Sequence, residues 1–178
     1  MVPSEGLRPP PANATTDEAL AELVAELAGR LPASIDDLRK ALSSVQSSSD
    51  YDAAVETAVK ARTTNNGQAC INAKRFIVHE DIYHEFAKKF AGQMDALVVG
   101  DPADSSTQVG PLATQSGRRD IEELVEDARA KGAEILAGGE RPSTDHGWFY
   151  EPTVIAGLSR DMRLWSEEAF GPVASLYK

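Results

Sequence analysis

Arg75-Phe76-Ile77-Val78-His79-Glu80-Asp81-Ile82-Tyr83-His84-Glu85-Phe86 changes its period midway, and that change decides the fold class. Arg75-Phe76-Ile77-Val78 reads as a short apolar strand. From Asp81, taken as a cap, apolar residues recur at helical spacing: Tyr83, Phe86, Phe90, Met94 and Leu97. Gly100-Asp101-Pro102 stops that helix. Downstream, Gly110-Pro111-Leu112 forms a loop, and a helix carrying Ile121, Leu124, Val125 and Ala128 ends at Gly132. Glu134-Ile135-Leu136 is a strand closing on Gly138-Gly139. Trp148-Phe149-Tyr150 and Thr153-Val154-Ile155 are extended segments interrupted by Pro152, which predicts an edge strand or a bend. Val173–Tyr177 is the last strand. Strands separated by helices predict an α/β layer with a mostly parallel sheet. No internal repeat is present.

Upstream, a helix through Ala53–Arg62 carries Val55 and Val59 and leads to the turn Asn65-Asn66-Gly67. Ser47-Ser48-Ser49 reads as a linker or a cap. Before it, Asp17–Leu31 has one apolar face, and Ser34, with Asp37 three residues on, caps a shorter helix with Leu38, Leu42 and Val45. This pair could form a hairpin, a dimer seam or a cover for an apolar face. The first residues are rich in Pro, Ala, Ser and Thr. The expected organisation is a flexible arm over 1–16, a helical segment over 17–49 and an α/β unit over 50–178.

Composition narrows the partners. A formal charge of −10 argues against nucleic acid, whose binding needs clustered Lys and Arg. Met1-Val2-Pro3-Ser4-Glu5-Gly6 has neither a basic start nor an apolar run, so no secretory signal is expected, and no stretch is long enough to span a bilayer. A single cysteine forms no intramolecular disulfide and fits a reducing, cytoplasmic setting. One Cys and three dispersed His offer no metal-ligand spacing.

That cysteine lies in Asn65-Asn66-Gly67-Gln68-Ala69-Cys70, a glycine turn followed by apparent helix. A thiol at a helix start feels the positive end of the dipole, and the thiolate is favoured. Spacing alone leaves an inert structural thiol equally open. A Cys/His hydrolase using Cys70 with His79, His84 or His146 is a weaker alternative, because no His sits in a recognisable motif.

Read with Val109-Gly110-Pro111-Leu112, Gly132-Ala133-Glu134-Ile135-Leu136-Ala137-Gly138-Gly139 and Glu167-Glu168-Ala169-Phe170-Gly171-Pro172, the cysteine turn resembles the aldehyde dehydrogenase superfamily. Asn65-Asn66-Gly67-Gln68 with Lys74-Arg75-Phe76-Ile77-Val78 looks most like bacterial succinate-semialdehyde dehydrogenases. The resemblance covers about residues 50–178. It implies an α/β fold: part of an aldehyde-dehydrogenase-type catalytic domain with a mostly parallel sheet, preceded by a short helical segment. It implies a small aldehyde as substrate, NAD or NADP as cofactor, and Cys70 as nucleophile through thiohemiacetal and thioester intermediates. The Cys70 backbone N–H would serve as an oxyanion donor. Glu168 would hold the nicotinamide ribose hydroxyls, and Phe170 would pack near the cofactor ring. Without the family, Glu167-Glu168 reads as an exposed acidic pair and Phe170 as a core residue.

The resemblance also implies parts that have no counterpart here. The family places a dinucleotide-binding domain before the cysteine, and a general-base glutamate in a Glu-Leu-Gly-Gly motif where this chain has Leu42-Ser43-Ser44-Val45-Gln46-Ser47. An arginine for the substrate carboxylate is expected at Thr64, and Arg62 lies two residues further back. Losing an oxyanion donor costs about 10² to 10³ in rate. Losing a general base costs about 10² to 10⁴. The isolated chain is therefore expected to be inactive and to bind cofactor poorly. The alternative is a non-catalytic, self-associating scaffold docking through the 17–45 helices, since an incomplete sheet exposes apolar surface and strand edges.

Overall fold

The computed structural model describes residues 48–143 and 146–178. The expectations for the arm and the helical pair at 17–45 lie outside the described residues.

Four strands form one sheet in the order β1-β4-β3-β2: β1 Arg75–Ile77, β2 Glu134–Ala137, β3 Thr153–Ala156 and β4 Val173–Tyr177. β4 pairs in parallel with both β1 and β3, and β2 joins β3 antiparallel. The sheet is therefore mostly parallel, as the alternation of strands and helices predicts. Helices cover both faces, because successive residues of the central strands point to opposite sides. Val154, Ala174 and Leu176 pack with Val55, Val59, Phe86, Phe90 and Met94 from α1 (Ser48–Thr63) and α2 (Glu80–Asp95). Ile155 and Val173 pack with Ile121, Leu124, Val125 and Ala128 from α3 (Gln115–Ala130), and with Leu164 from the short α4 (Arg163–Ser166). Each fully buried large apolar side chain contributes about 1.5–3 kcal/mol.

Several boundaries differ from the sequence reading. α1 is described from Ser48, so Ser48 and Ser49 lie within the helix rather than in a linker. α2 is capped by His79, whose Nδ1 accepts the Asp81 N–H at 3.3 Å, so Asp81 sits in the first turn, where its charge meets the helix dipole. α2 stops at Asp95, before Gly100. β3 is no edge strand: all four of its residues are buried between β4 and β2, and Pro152 escapes the ladder by preceding the strand. β1 and β2 are the edges of the sheet, and on β1 Ile77 is 82 % exposed. Among the described residues no helix is long and apolar enough to cross a membrane.

Candidate active site

Cys70 lies on the connection from α1 to β1, and this connection starts with an unusual backbone. Asn65 (φ 53°, ψ 41°), Asn66 (φ 54°, ψ 29°) and Gly67 (φ 74°) are left-handed in succession. Asparagine tolerates this region better than most residues. Gly67 is required twice over, because a β-carbon there would also overlap the Gly171 carbonyl. The turn before the cysteine thus rests on the backbone of Glu167–Pro172, about a hundred residues away in sequence.

Side chains hold the turn in place. Asn66 Oδ1 accepts from the Gly110 N–H (2.9 Å) and its Nδ2 donates to the Pro111 carbonyl (3.2 Å). Gln68 Oε1 accepts from the Ala113 N–H (3.0 Å). Asn72 Nδ2 donates to the carbonyls of Arg62 (3.1 Å) and Thr64 (2.8 Å), pulling the chain back toward the end of α1. Arg62, fully buried, donates from one guanidinium nitrogen to Ala73 O (2.9 Å) and from another to Gly67 O. Burial lowers its pKa to about 10, against an opposing pull from Glu168. Arg62 is therefore a support for the loop and is not exposed to a substrate carboxylate.

No helix follows the cysteine. Ala69–Asn72 closes a single turn through the Asn72 N–H to the Ala69 carbonyl (3.1 Å), and the chain then enters β1. The dipole argument for Cys70 does not hold, because Asn72 spends its side chain on the end of α1 and only a few residues remain before the strand. Positive charge at the cleft comes instead from Lys74 and Arg75. Lys74 Nζ contacts Glu168 Oε1 (2.7 Å), Ala69 O (2.8 Å) and Cys70 O (3.1 Å). Arg75 donates to Trp165 O (2.8 Å).

Cys70 is an exposed free thiol. Together with Lys74, Arg75, Glu167, Glu168 and Ser175 it lines a cleft of about 310 Å³. The structure thus brings Cys70 and Glu168 into one cleft. Phe170 is not among the cleft's described lining residues; its side chain is 48 % exposed on the surface, so it is not the core residue that the bare sequence allows. Of the two cleft carboxylates, Glu167 is bound in two places by Arg163 (2.8 and 2.9 Å), which holds it below the usual carboxylate range. Among the described residues no cluster of His, Cys, Asp and Glu could hold a metal ion. His79 caps α2, and His84 lines a separate groove beside Tyr83, so neither supplies a base for Cys70.

Sequence reasoning missed Lys74, Arg62, Asn66 and Gln68 as site-building residues. All four lie in or beside the quoted motifs, but apart from the Lys74–Glu168 ion pair their partners are backbone carbonyls and amides, which leave no mark on a hydropathy pattern.

The chain belongs to the aldehyde dehydrogenase family, whose model matches residues 15–178. That match begins well upstream of Asp50, so it takes in most of the segment that the residues alone left without an origin. Within the family, the chain is 58 % identical over 133 residues to succinate-semialdehyde dehydrogenase [NADP(+)] of Mycobacterium leprae, covering 75 % of this chain and 29 % of that protein. The corresponding protein of Mycobacterium avium is also 58 % identical, over 134 residues, 75 % of this chain and 28 % of the relative. The chain thus spans less than a third of the length of these relatives. Among solved structures, succinate-semialdehyde dehydrogenase from Burkholderia pseudomallei is 44 % identical with a TM-score of 0.68, over 72 % of this chain and 26 % of that one. A 3,6-anhydro-L-galactose dehydrogenase in complex with NAP is 36 % identical with a TM-score of 0.68, over 72 % and 28 %.

Proposed function

We propose that this chain is part of the catalytic half of an NAD(P)-dependent aldehyde dehydrogenase acting on succinate semialdehyde, with Cys70 as its nucleophile. The observation that carries the reading is the exposed Cys70 thiol in a cleft it shares with two cations and Glu168. The names of the mycobacterial relatives support the aldehyde and favour NADP.

The chemistry follows from the groups present. The Cys70 thiolate attacks the aldehyde carbon, forming a C–S bond and moving the carbonyl electron pair onto oxygen. The resulting oxyanion needs a donor, and the Cys70 N–H is the nearest backbone candidate. Bound NAD or NADP would supply the oxidant, accepting the hydride that leaves that carbon. Glu168 suits such a ligand, because a carboxylate half exposed to the cleft accepts hydroxyl donors; Phe170, exposed outside the cleft lining, would meet only a ligand that extends beyond it. The Cys70 thioester is then hydrolysed by water, which requires a base. Both carboxylates among the described lining residues are already paired, Glu167 with Arg163 and Glu168 with Lys74. Turnover is therefore expected to stall at the acyl stage. A reducing compartment such as the cytoplasm would keep the thiol free.

The test needs no cofactor. Mixed with p-nitrophenyl acetate, the chain should release about one equivalent of nitrophenolate as Cys70 is acylated, then slow sharply. Cys70→Ala should release none above background, and succinate semialdehyde should protect the thiol from iodoacetamide. Release that persists in Cys70→Ala, or is absent from the unaltered chain, refutes the assignment.

A further inference from the structure

Lys74 ties the cysteine turn to Glu168 across the cleft, and its ammonium is fully committed. A lysine head has three N–H donors and no acceptor. Three oxygens surround it: Ala69 O at 2.8 Å, Cys70 O at 3.1 Å and Glu168 Oε1 at 2.7 Å. Its side chain is only 15 % exposed, against 50 % for Glu168. The other end is equally fixed, because the Lys74 carbonyl accepts the Ser175 N–H (2.9 Å) beside the β1–β4 ladder. Lys74 is thus a bracket, anchored in the sheet and reaching back over the turn that carries the sulfur.

Peptide geometry gives this bracket a chemical consequence. The Ala69 carbonyl and the Cys70 N–H belong to one planar trans unit and point in opposite directions. Holding the carbonyl against Nζ fixes the direction of the N–H on the far side. A cation on the carbonyl also draws electron density through the amide and makes that N–H a better donor.

We propose that Lys74 is a positioning residue: through the Ala69 carbonyl it aims and polarises the Cys70 N–H as the donor to the oxyanion formed on sulfur attack. This rests on Cys70 being the nucleophile. Lys74 itself touches neither the sulfur nor the carbonyl carbon in this scheme.

Two thiol reagents separate this role from simple structural support. Acylation by p-nitrophenyl acetate passes through an oxyanion, and it forms an S–C bond while expelling nitrophenolate. Alkylation by iodoacetamide displaces iodide at a saturated carbon and builds no oxyanion. Both rates are measured on the full chain, for Lys74→Met, which keeps most of the stem, and for Lys74→Arg. Circular dichroism and urea midpoints verify the fold of each. Lys74→Met is expected to slow acylation about tenfold more than alkylation, the scale expected for a misdirected donor. Lys74→Arg, which keeps a cation near the carbonyl, is expected to recover part of the difference. Equal losses in both reactions mean that Lys74 acts on the thiol's charge or on the fold, and overturn the proposal; so does no loss, or a failure of Arg to outperform Met. If Lys74→Met does not fold, the comparison is read from Lys74→Arg against the unaltered chain, where an unchanged ratio with a smaller rate in both reactions overturns it. An unaltered chain that shows no Cys70-dependent acylation but normal alkylation is a different failure: it removes the nucleophile reading itself, and the proposal with it.

Discussion

Replacing Arg62 tests whether the cysteine loop depends on a guanidinium or merely on filled space. Arg62 has no exposed surface, and it bonds the carbonyls at the two ends of the loop, Gly67 and Ala73. Its Nε has no partner among the described residues. Hydrogen bonds from a charged donor contribute about 1.5–3 kcal/mol each. Against them stands burial of the charge: a pKa lowered from the ordinary arginine value to about 10 corresponds to about 3 kcal/mol disfavouring the cation. The bonds outweigh that cost, and an apolar residue of similar length would leave the Gly67 and Ala73 carbonyls without their donor. Arg62→Met is expected to cost about 2–3 kcal/mol, most of it from the two carbonyls left without a donor. Arg62→Ala adds a cavity and should cost about 2–4 kcal/mol beyond that. Urea denaturation resolves the difference, since a slope of about 2 kcal/mol/M separates the two midpoints by more than about 1 M. Both variants should acylate at Cys70 more slowly, because the loop ends lose their common tie. A Met variant as unstable as the Ala variant would refute the contribution of filled space, and acylation at the original rate would refute the tie.

Gly67→Ala combines a left-handed φ of 74° with a β-carbon directed at the Gly171 carbonyl. It should lower stability by about 3 kcal/mol or more and abolish the nitrophenolate burst, read by urea midpoint and absorbance. Acid should destabilise the chain. Glu122, held down by its hydrogen bond to Arg141, Asp127, held down by Lys131 and the Arg163 N–H, and Glu167, held down by Arg163, all have folded pKa values below their unfolded ones. Their contributions are complete above the unfolded range and are lost as pH falls through the folded values. Glu151 works the other way, since burial and Glu140 raise it. Thermal midpoints should fall steadily below about pH 4. In Glu122→Gln that fall should be shallower; an unchanged slope would exclude Glu122 as a contributor.

Most of the sheet was legible because β-branched and apolar runs, glycines and helical stripes agree with one another. Ile121, Leu124, Val125 and Ala128 are buried in α3 as their spacing predicts, and Gly132 closes that helix at φ 93°. The site was legible as residues and not as geometry. Cys70 was read beside a helix start, but Asn72 diverts the chain by bonding to the carbonyls of Arg62 and Thr64, a choice made by a polar side chain with no period of its own. His79 outranks Asp81 as cap because the helix begins one residue before Asp81, and only the fold decides which N–H groups are left over. Pro152 predicts an edge strand or a bend, yet a proline just outside the ladder is compatible with a central strand. The roles of Lys74 and Arg62 depend on carbonyl oxygens, which every residue possesses and which pattern reading cannot rank.

The position of β4 governs when the thiol can acquire its surroundings. This strand lies downstream of every other described element, yet it is inserted between β1 and β3, with Arg75 opposite Ser175 and Thr153 opposite Val173. Until it arrives, the two earlier strands have no shared neighbour, Lys74 has no anchor and the glycine turn has no Gly171 to rest on. Closure over so long a stretch of chain is slow relative to helix formation. A nascent chain would therefore carry Cys70 without these neighbours until Val173–Tyr177 has been made, and the time at which Cys70 begins to acylate would date the insertion of β4.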